Sequence, residues 1–96
     1  MIKQSFTVRD LPRTERPRER LQECGSEALS AQELLALVLG RGVGGESVMT
    51  TAQKLLARFG SLQEVMQGSL EDLQSIRGIG LAKAAQIKAC MEIARR

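Results

Sequence analysis

Serine and glycine residues divide most of this chain into short segments of helical periodicity, and this spacing of serine and glycine is the feature that most restricts its fold. Ser30, Ser61 and Ser69 are each followed three residues later by an acidic residue and then by leucines, the capping-box pattern that starts a helix. Glycines 25, 40, 60 and 68 follow apolar runs and can take the left-handed conformation that ends a helix. The pattern predicts helices over residues 15–24, 30–39, 47–59, 61–67, 69–76 and 81–95.

These segments predict an all-α fold, a compact bundle of about five to six short helices. The segment 30–39 is apolar nearly all round, so it is predicted to lie at the buried centre of the bundle. Residues 1–13 show only weak alternation, and we expect an extended arm there. The predicted organisation is therefore an arm over 1–13 and one helical domain over 14–96.

The last predicted helix is amphipathic. Its inner face is predicted from residues recurring at steps of three and four, which are Ala84, Ile87, Met91 and Ala94. Lys83 and Gln86 then fall outside that face.

The composition argues against metal, cofactor and membrane functions. The chain has no histidine, and Cys24 and Cys90 are far apart in the sequence, so neither a zinc site nor a disulfide framework is indicated. We expect both cysteines to pack in the core. The apolar run at 34–39 is far shorter than the roughly 20 residues that cross a bilayer. The expected protein binds no cofactor, enters no membrane and is cytoplasmic.

The stretch "IRGIGLAKAAQIKA" at 76–89 places two glycines around one isoleucine just before a helix. Such a turn can be very tight, with Ile79 pointing back between the helices. Backbone amides at the start of the helix lack intrahelical acceptors, and an anion can come close to glycine. We predict a phosphate-binding site composed of Arg77, Gly78, Ile79, Gly80, Ala82 and Lys83.

Basic residues are concentrated at the two ends of the chain. Residues 1–20 carry six basic and three acidic side chains, residues 21–76 three and seven, and residues 77–96 five and one. A polyanionic partner and a solvated helix face are alternative explanations of the last segment. Since the chain has no Trp or Tyr and only two Phe, it lacks platforms for unstacked bases, and duplex or branched DNA is favoured over single strands.

An internal sequence repeat suggests a second hairpin. A shift of 36 residues aligns the run at 41–44 with the run at 77–80, and also aligns two preceding leucines in each case, as two paired hairpins would. The candidate residues of this first hairpin are Arg41, Gly42, Gly44 and Gly45. A functional phosphate site and a purely structural turn both remain open for it.

The spacing of Leu73, Ile76, Gly78-Ile79-Gly80, Ala84 and Ile87 resembles the helix-hairpin-helix motif, which implies binding of the nucleic-acid backbone without reading sequence. Many such motifs have proline and then lysine after the second glycine, whereas Leu81 and Ala82 stand there in this chain. The segments "ERPRERL" at 15–21, "ALSAQELLALVL" at 28–39, "RFGSL" at 58–62 and "GIGLAKAAQIKA" at 78–89 resemble the amino-terminal region of the RadC family (UPF0758) of bacteria.

The resemblance implies a DNA repair-associated protein in which this helical region precedes a carboxy-terminal JAB/MPN metalloprotease-like domain. We expect this chain to be the isolated amino-terminal region and not an enzyme, because the family's metal ligands belong to the second domain. The favoured function is weak, sequence-independent binding of duplex or branched DNA. The alternative is a module that binds proteins or positions the second domain, without contacting DNA.

Overall fold

The computed structural model describes residues 16–42 and 45–96. Over these residues the chain forms six α-helices and a short 3-10 helix, with no strand, so the predicted all-α class is confirmed. The α-helices are α1 (Pro17–Cys24), α2 (Ala31–Leu39), α3 (Val48–Phe59), α4 (Leu62–Gln67), α5 (Leu70–Gln74) and α6 (Leu81–Arg95), and the 3-10 helix spans Ser26–Ala28. The predicted arm over 1–13 lies outside the described residues.

Serine side chains start four consecutive helices. At α2 the hydroxyl of Ser30 accepts a hydrogen bond from the amide of Glu33 at 3.1 Å, and the Glu33 carboxylate accepts one from the Ser30 amide at 2.9 Å. This is a complete capping box. Ser47, Ser61 and Ser69 likewise accept from the amide three residues on. Local chemistry therefore sets where α2 to α5 begin.

Glycines follow α1 to α4, but they do not all end the helix in the same way. Gly25, Gly40 and Gly60 have positive φ, as expected of glycines at helix ends. Gly68 is different, because its φ of −62° and ψ of 150° are open to any residue. A Cβ at Gly68 would lie 2.9 Å from a ring carbon of Phe59. A side chain at position 68 would therefore require the Phe59 ring at the end of α3 to move, and the prediction of a left-handed residue at 68 is wrong.

Helix α2 is the centre of the bundle, as its apolar sequence predicts. None of its nine residues is exposed, and it packs most extensively against α3. The buried core combines side chains from all the later helices and from the turn before α6. Its members are Leu35, Ala36, Leu39, Val48, Ala52, Leu55, Val65, Leu73, Ile79, Ala84 and Ile87.

The inner face of α6 follows the predicted pattern at its start and departs from it at its end. Ala84 and Ile87 are buried and Met91 is half-buried, whereas Ala94 is exposed. Cys24 is also exposed, contrary to the prediction of core packing. The reason is that Cys24 is the last residue of α1, a helix whose only buried residue is Pro17.

Candidate functional site

The turn between α5 and α6 is closed by its own backbone and anchored in the core. Gly78 has a φ of 95°, which favours glycine because it lies in the left-handed region. The amide of Ile79 donates to the carbonyl oxygen of Ile76 at 3.0 Å, and the Ile79 side chain is only 3% exposed. The predicted inward direction of Ile79 is confirmed, and this side chain anchors the turn in the core.

The start of α6 has no side-chain cap. Gly80 is its N-cap residue, and no side chain hydrogen-bonds there, whereas serine hydroxyls cap α2 to α5. The first helical bond joins the Ala84 amide to the Gly80 carbonyl at 3.0 Å. The amides of Leu81, Ala82 and Lys83 precede that bond and have no intrahelical acceptor. They are polarised donors at the positive end of the helix dipole.

The surroundings of Gly80 are open. A Cβ built on Gly80 would meet no atom within 4 Å, and both Gly80 and Ala82 are exposed. The backbone of Gly80, with φ −91° and ψ −170°, is extended and suits any residue. An external acceptor can therefore approach the start of α6 without displacing a side chain.

Lys83 lies half-buried and faces α2, contrary to its predicted outward position. Its ammonium donates to the carbonyl oxygens of Leu39, at 3.0 Å, and Arg41. Gln86, on the next turn of α6, donates to the Val38 carbonyl at 2.8 Å. These carbonyls belong to the last turn of α2 and the residues after it, which lack intrahelical donors. Lys83 and Gln86 thus cap the end of α2 from a distant helix.

Positive charge gathers where the two predicted hairpins meet. Burial is the main cause that lowers the pKa of the Lys83 ammonium, and the nearby charge of Arg41 lowers it further. On the other side of the turn Arg77 is exposed, and its charge contributes to lowering the pKa of Glu46. Arg41 therefore lies near Lys83, and Arg77 lies near Glu46.

The carboxylate of Glu46 is already engaged by α3. It accepts hydrogen bonds from Lys54 and, at 2.7 Å, from the hydroxyl of Thr51. The hydrogen bond from Lys54 has the largest effect in lowering the pKa of the Glu46 carboxyl group, and the bond from Thr51 lowers it further. Among the residues that the structure describes, Arg77 forms no ion pair, and its exposed side chain contributes positive charge at the surface of the turn.

The first hairpin is built differently from the second. A Cβ on Gly42 would lie 1.9 Å from the carbonyl oxygen of Glu46 and 2.9 Å from the carbonyl carbon of Ser47, so the loop folds tightly back on itself. Gly45 has a φ of 79°, and Gly44 lies outside the described residues. Arg41 is exposed, but its carbonyl is bound by Lys83. At Gly42 the close approach is to the chain's own backbone, which favours a structural role.

No group of three or more His, Cys, Asp or Glu side chains among residues 16–42 and 45–96 is arranged to hold a metal ion. None of the helices described is long and apolar enough to span a bilayer.

Comparisons with known proteins identify relatives along the whole chain. The family model described as UPF0758 N-terminal matches residues 8–85. A UPF0758 protein of Clostridium kluyveri is 45% identical over 95 residues, covering 99% of this chain and 42% of the relative. One of Halalkalibacterium halodurans is 46% identical over 96 residues, covering 100% of this chain and 41% of the relative. The chain thus spans about two fifths of the length of these relatives, and no solved structure matches it.

Proposed function

The chain belongs to the UPF0758 family, and we propose that it is a sequence-independent DNA-binding module that holds one backbone phosphate at the start of α6. The observation that carries this proposal is the uncapped helix start at Gly80, an exposed residue whose added Cβ would meet no atom within 4 Å. Helix starts of this kind bind phosphate because their amides point at the ligand and the dipole favours negative charge. The module is not an enzyme in this proposal, and it acts in the bacterial cytoplasm.

The amides of Leu81, Ala82 and Lys83 donate to the phosphate oxygens. Gly80 leaves room at the start of α6, the positive φ of Gly78 allows the tight turn, and the buried Ile79 anchors the turn in the core. Arg77 and Arg41 add positive charge at the surface, while Lys83 positions the turn against α2 through its bonds to carbonyl groups. Contacts of this type fix the protein on the DNA backbone and carry no sequence information.

Few phosphates are contacted, so binding is weak and sensitive to salt. Non-specific complexes typically have a Kd of about 10⁻⁴ to 10⁻⁶ M at physiological salt. With about two phosphates neutralised, a fourfold rise in salt lowers the affinity roughly tenfold. Duplex and branched DNA are the expected ligands, because the two Phe residues of the chain provide little surface for stacking of exposed bases.

Fluorescence anisotropy of labelled duplex, branched and single-stranded DNA tests the proposal, with wild type and Gly80→Glu compared at two salt concentrations. The glutamate has room to fit and an ordinary backbone conformation, so the fold should survive, and circular dichroism checks this. The matched control is Gln22→Glu, which makes the same change in net charge on an exposed position of α1.

Salt-sensitive binding that Gly80→Glu abolishes and Gln22→Glu retains is the expected result. Equal binding by the two variants would show that the start of α6 does not hold the phosphate. Absence of binding by the wild type would instead favour the alternative predicted from the sequence, a protein-binding or domain-positioning module.

A further inference from the structure

A cavity of about 410 Å³ lies where the start of α1 meets the end of α2. Residues 16–19 line it from α1 and its N-cap, and Leu37 and Gly40 line it from α2 and its C-cap. The charged side chains of its wall are those of Arg16, Arg18 and Glu19. The cavity therefore brings basic residues from the beginning of the chain to the end of α2.

Arg41 adjoins both this cavity and the first turn of α6. It follows Gly40, a residue of the cavity wall, directly in the chain. Its amide donates to the Leu39 carbonyl at 2.9 Å, and its carbonyl accepts from Lys83 in the first turn of α6. The backbone of Arg41 is thus held at both ends, while its side chain is exposed.

Several basic side chains elsewhere in the described ranges already have partners. Arg20 pairs with Glu33, Lys54 with Glu46, and Arg95 and Arg96 with Glu92, and Arg58 lies over the Phe59 ring.

Arg18 and Arg41 differ from these residues, because both are exposed and neither forms an ion pair with any residue of 16–42 or 45–96. We call Arg18 and Arg41 the basic rim of the cavity. Glu19 is the acidic group of the cavity wall, and it offsets only part of this charge. Cations that the protein itself leaves without counter-charges attract a polyanion to that surface.

We propose that the basic rim is a second phosphate-contacting surface, which binds the backbone of the same DNA duplex that the start of α6 holds. The inference rests on the proposed function and adds Arg18 and the start of α1 to the interface. Duplex DNA carries one negative charge per roughly 1.7 Å of its axis, so a surface that adjoins the start of α6 meets further phosphates. Arginine suits this contact, because its guanidinium offers several donors to phosphate oxygens.

The salt dependence of DNA binding tests the basic rim, and Arg18 is the decisive residue. Fluorescence anisotropy of a labelled duplex at several salt concentrations gives the slope of log Kd against log salt. We expect Arg18→Gln and Arg41→Gln each to reduce this slope by about 0.9, the value for one phosphate contact. Binding at low salt should weaken by about two- to fivefold in each variant.

The matched control is Arg58→Gln, which makes the same change in charge at another exposed arginine. Arg58 lies about 15 Å along α3 from Val48, a residue of the cavity wall. Its substitution should leave the slope unchanged.

Two further variants separate a phosphate contact from a structural role. Arg18→Lys should keep the slope of the wild type, because the charge is retained. Glu19→Gln should strengthen binding by about two- to fivefold, since it removes an acidic group from the cavity wall. A loss of structure would not strengthen binding, and circular dichroism checks the fold of every variant.

The outcomes distinguish the basic rim from the site at α6. Equal slopes for Arg18→Gln and Arg58→Gln, with binding still abolished by Gly80→Glu, would overturn the basic rim and leave the site at α6 intact. Binding that survives Gly80→Glu but has a reduced slope in Arg18→Gln would retain the rim as the DNA contact and overturn the site at α6. A wild type that binds no duplex would overturn both.

Discussion

The Nζ atom of Lys83 lies 3.0 Å from the carbonyl oxygen of Leu39, a residue 44 positions earlier in the chain. The same ammonium donates to the Arg41 carbonyl, so one side chain from the second predicted hairpin holds the backbone of the first. The contact links the first turn of α6 to the end of α2.

We expect Lys83→Met to lower the free energy of unfolding by about 1–3 kcal/mol, because the Arg41 carbonyl loses the Lys83 donor and the Leu39 carbonyl keeps only its bond from the Arg41 amide. Urea unfolding followed by circular dichroism measures the change. The control is Lys88→Met, which removes a half-buried lysine from the same helix without touching the bonds to Leu39 and Arg41. Equal losses in the two variants would contradict the role assigned to Lys83.

Gly42→Ala is expected to destabilise the fold strongly, by about 1–3 kcal/mol or more, since its Cβ would collide with the backbone of Glu46 and force the loop apart. Gly80→Ala is the matched comparison at the second hairpin, where the added methyl group meets nothing. Its effect on stability should stay within about 1 kcal/mol. Thermal or urea unfolding measures the stability of both variants. A larger loss for Gly42→Ala than for Gly80→Ala would show that the first hairpin is closely packed and the second is open.

Gly80→Ser is expected to change stability and DNA binding in opposite directions. The φ and ψ of Gly80, −91° and −170°, are close to the −73° and 165° of the capping residue Ser30. A serine hydroxyl at position 80 can therefore accept from an amide of the first turn and stabilise α6 by a few tenths of a kcal/mol. The same bond removes a donor from the phosphate, so anisotropy should report weaker binding. Higher stability with unchanged binding would mean that these amides do not contact DNA.

The Glu46 carboxylate should make the fold sensitive to acid. Its pKa is lowered below 4.5 in the folded chain, chiefly by the hydrogen bond from Lys54. The folded state therefore binds fewer protons than the unfolded state, and the stabilisation is complete above about pH 4.5 and is lost as the pH falls through the folded pKa. Urea midpoints measured at neutral pH and below pH 4.5 should differ less in Glu46→Gln than in the wild type. Lys54→Met should reduce the difference in the same direction, and an undiminished difference in both variants would contradict this assignment.

The helical fold was predictable because its signals are local. The Ser30, Ser61 and Ser69 caps each depend on residues within one turn, and the observed starts of α2, α4 and α5 follow those serines directly. The UPF0758 resemblance is likewise confirmed, because it rests on segments spread over the chain. The helix-hairpin-helix assignment stays a prediction.

Features that depend on distant residues could not be predicted from the sequence. The close contact of Gly68 is with the ring of Phe59, and the inward position of Lys83 comes from its bond to the Leu39 carbonyl at the end of α2. Neither partner is identifiable from local periodicity. The 3-10 helix at Ser26–Ala28 was also missed, because three residues are too few to show a helical period. A helix starting near Ser47 was predicted, but the close approach of Ser47 to Gly42 was not.

The bonds from Lys83 and Gln86 to α2 join residues 42 to 48 positions apart, so they form only after a long stretch of chain has closed into a loop. Loop closure has an entropic cost that must be met before such contacts add stability, and contacts between distant residues generally form late in folding. The turn at Gly78 is local, but its fixed position against α2 is a property of the completed fold. A peptide containing only α5 and α6 would therefore keep Gly78 and Gly80 but would lack α2, against which the turn is positioned.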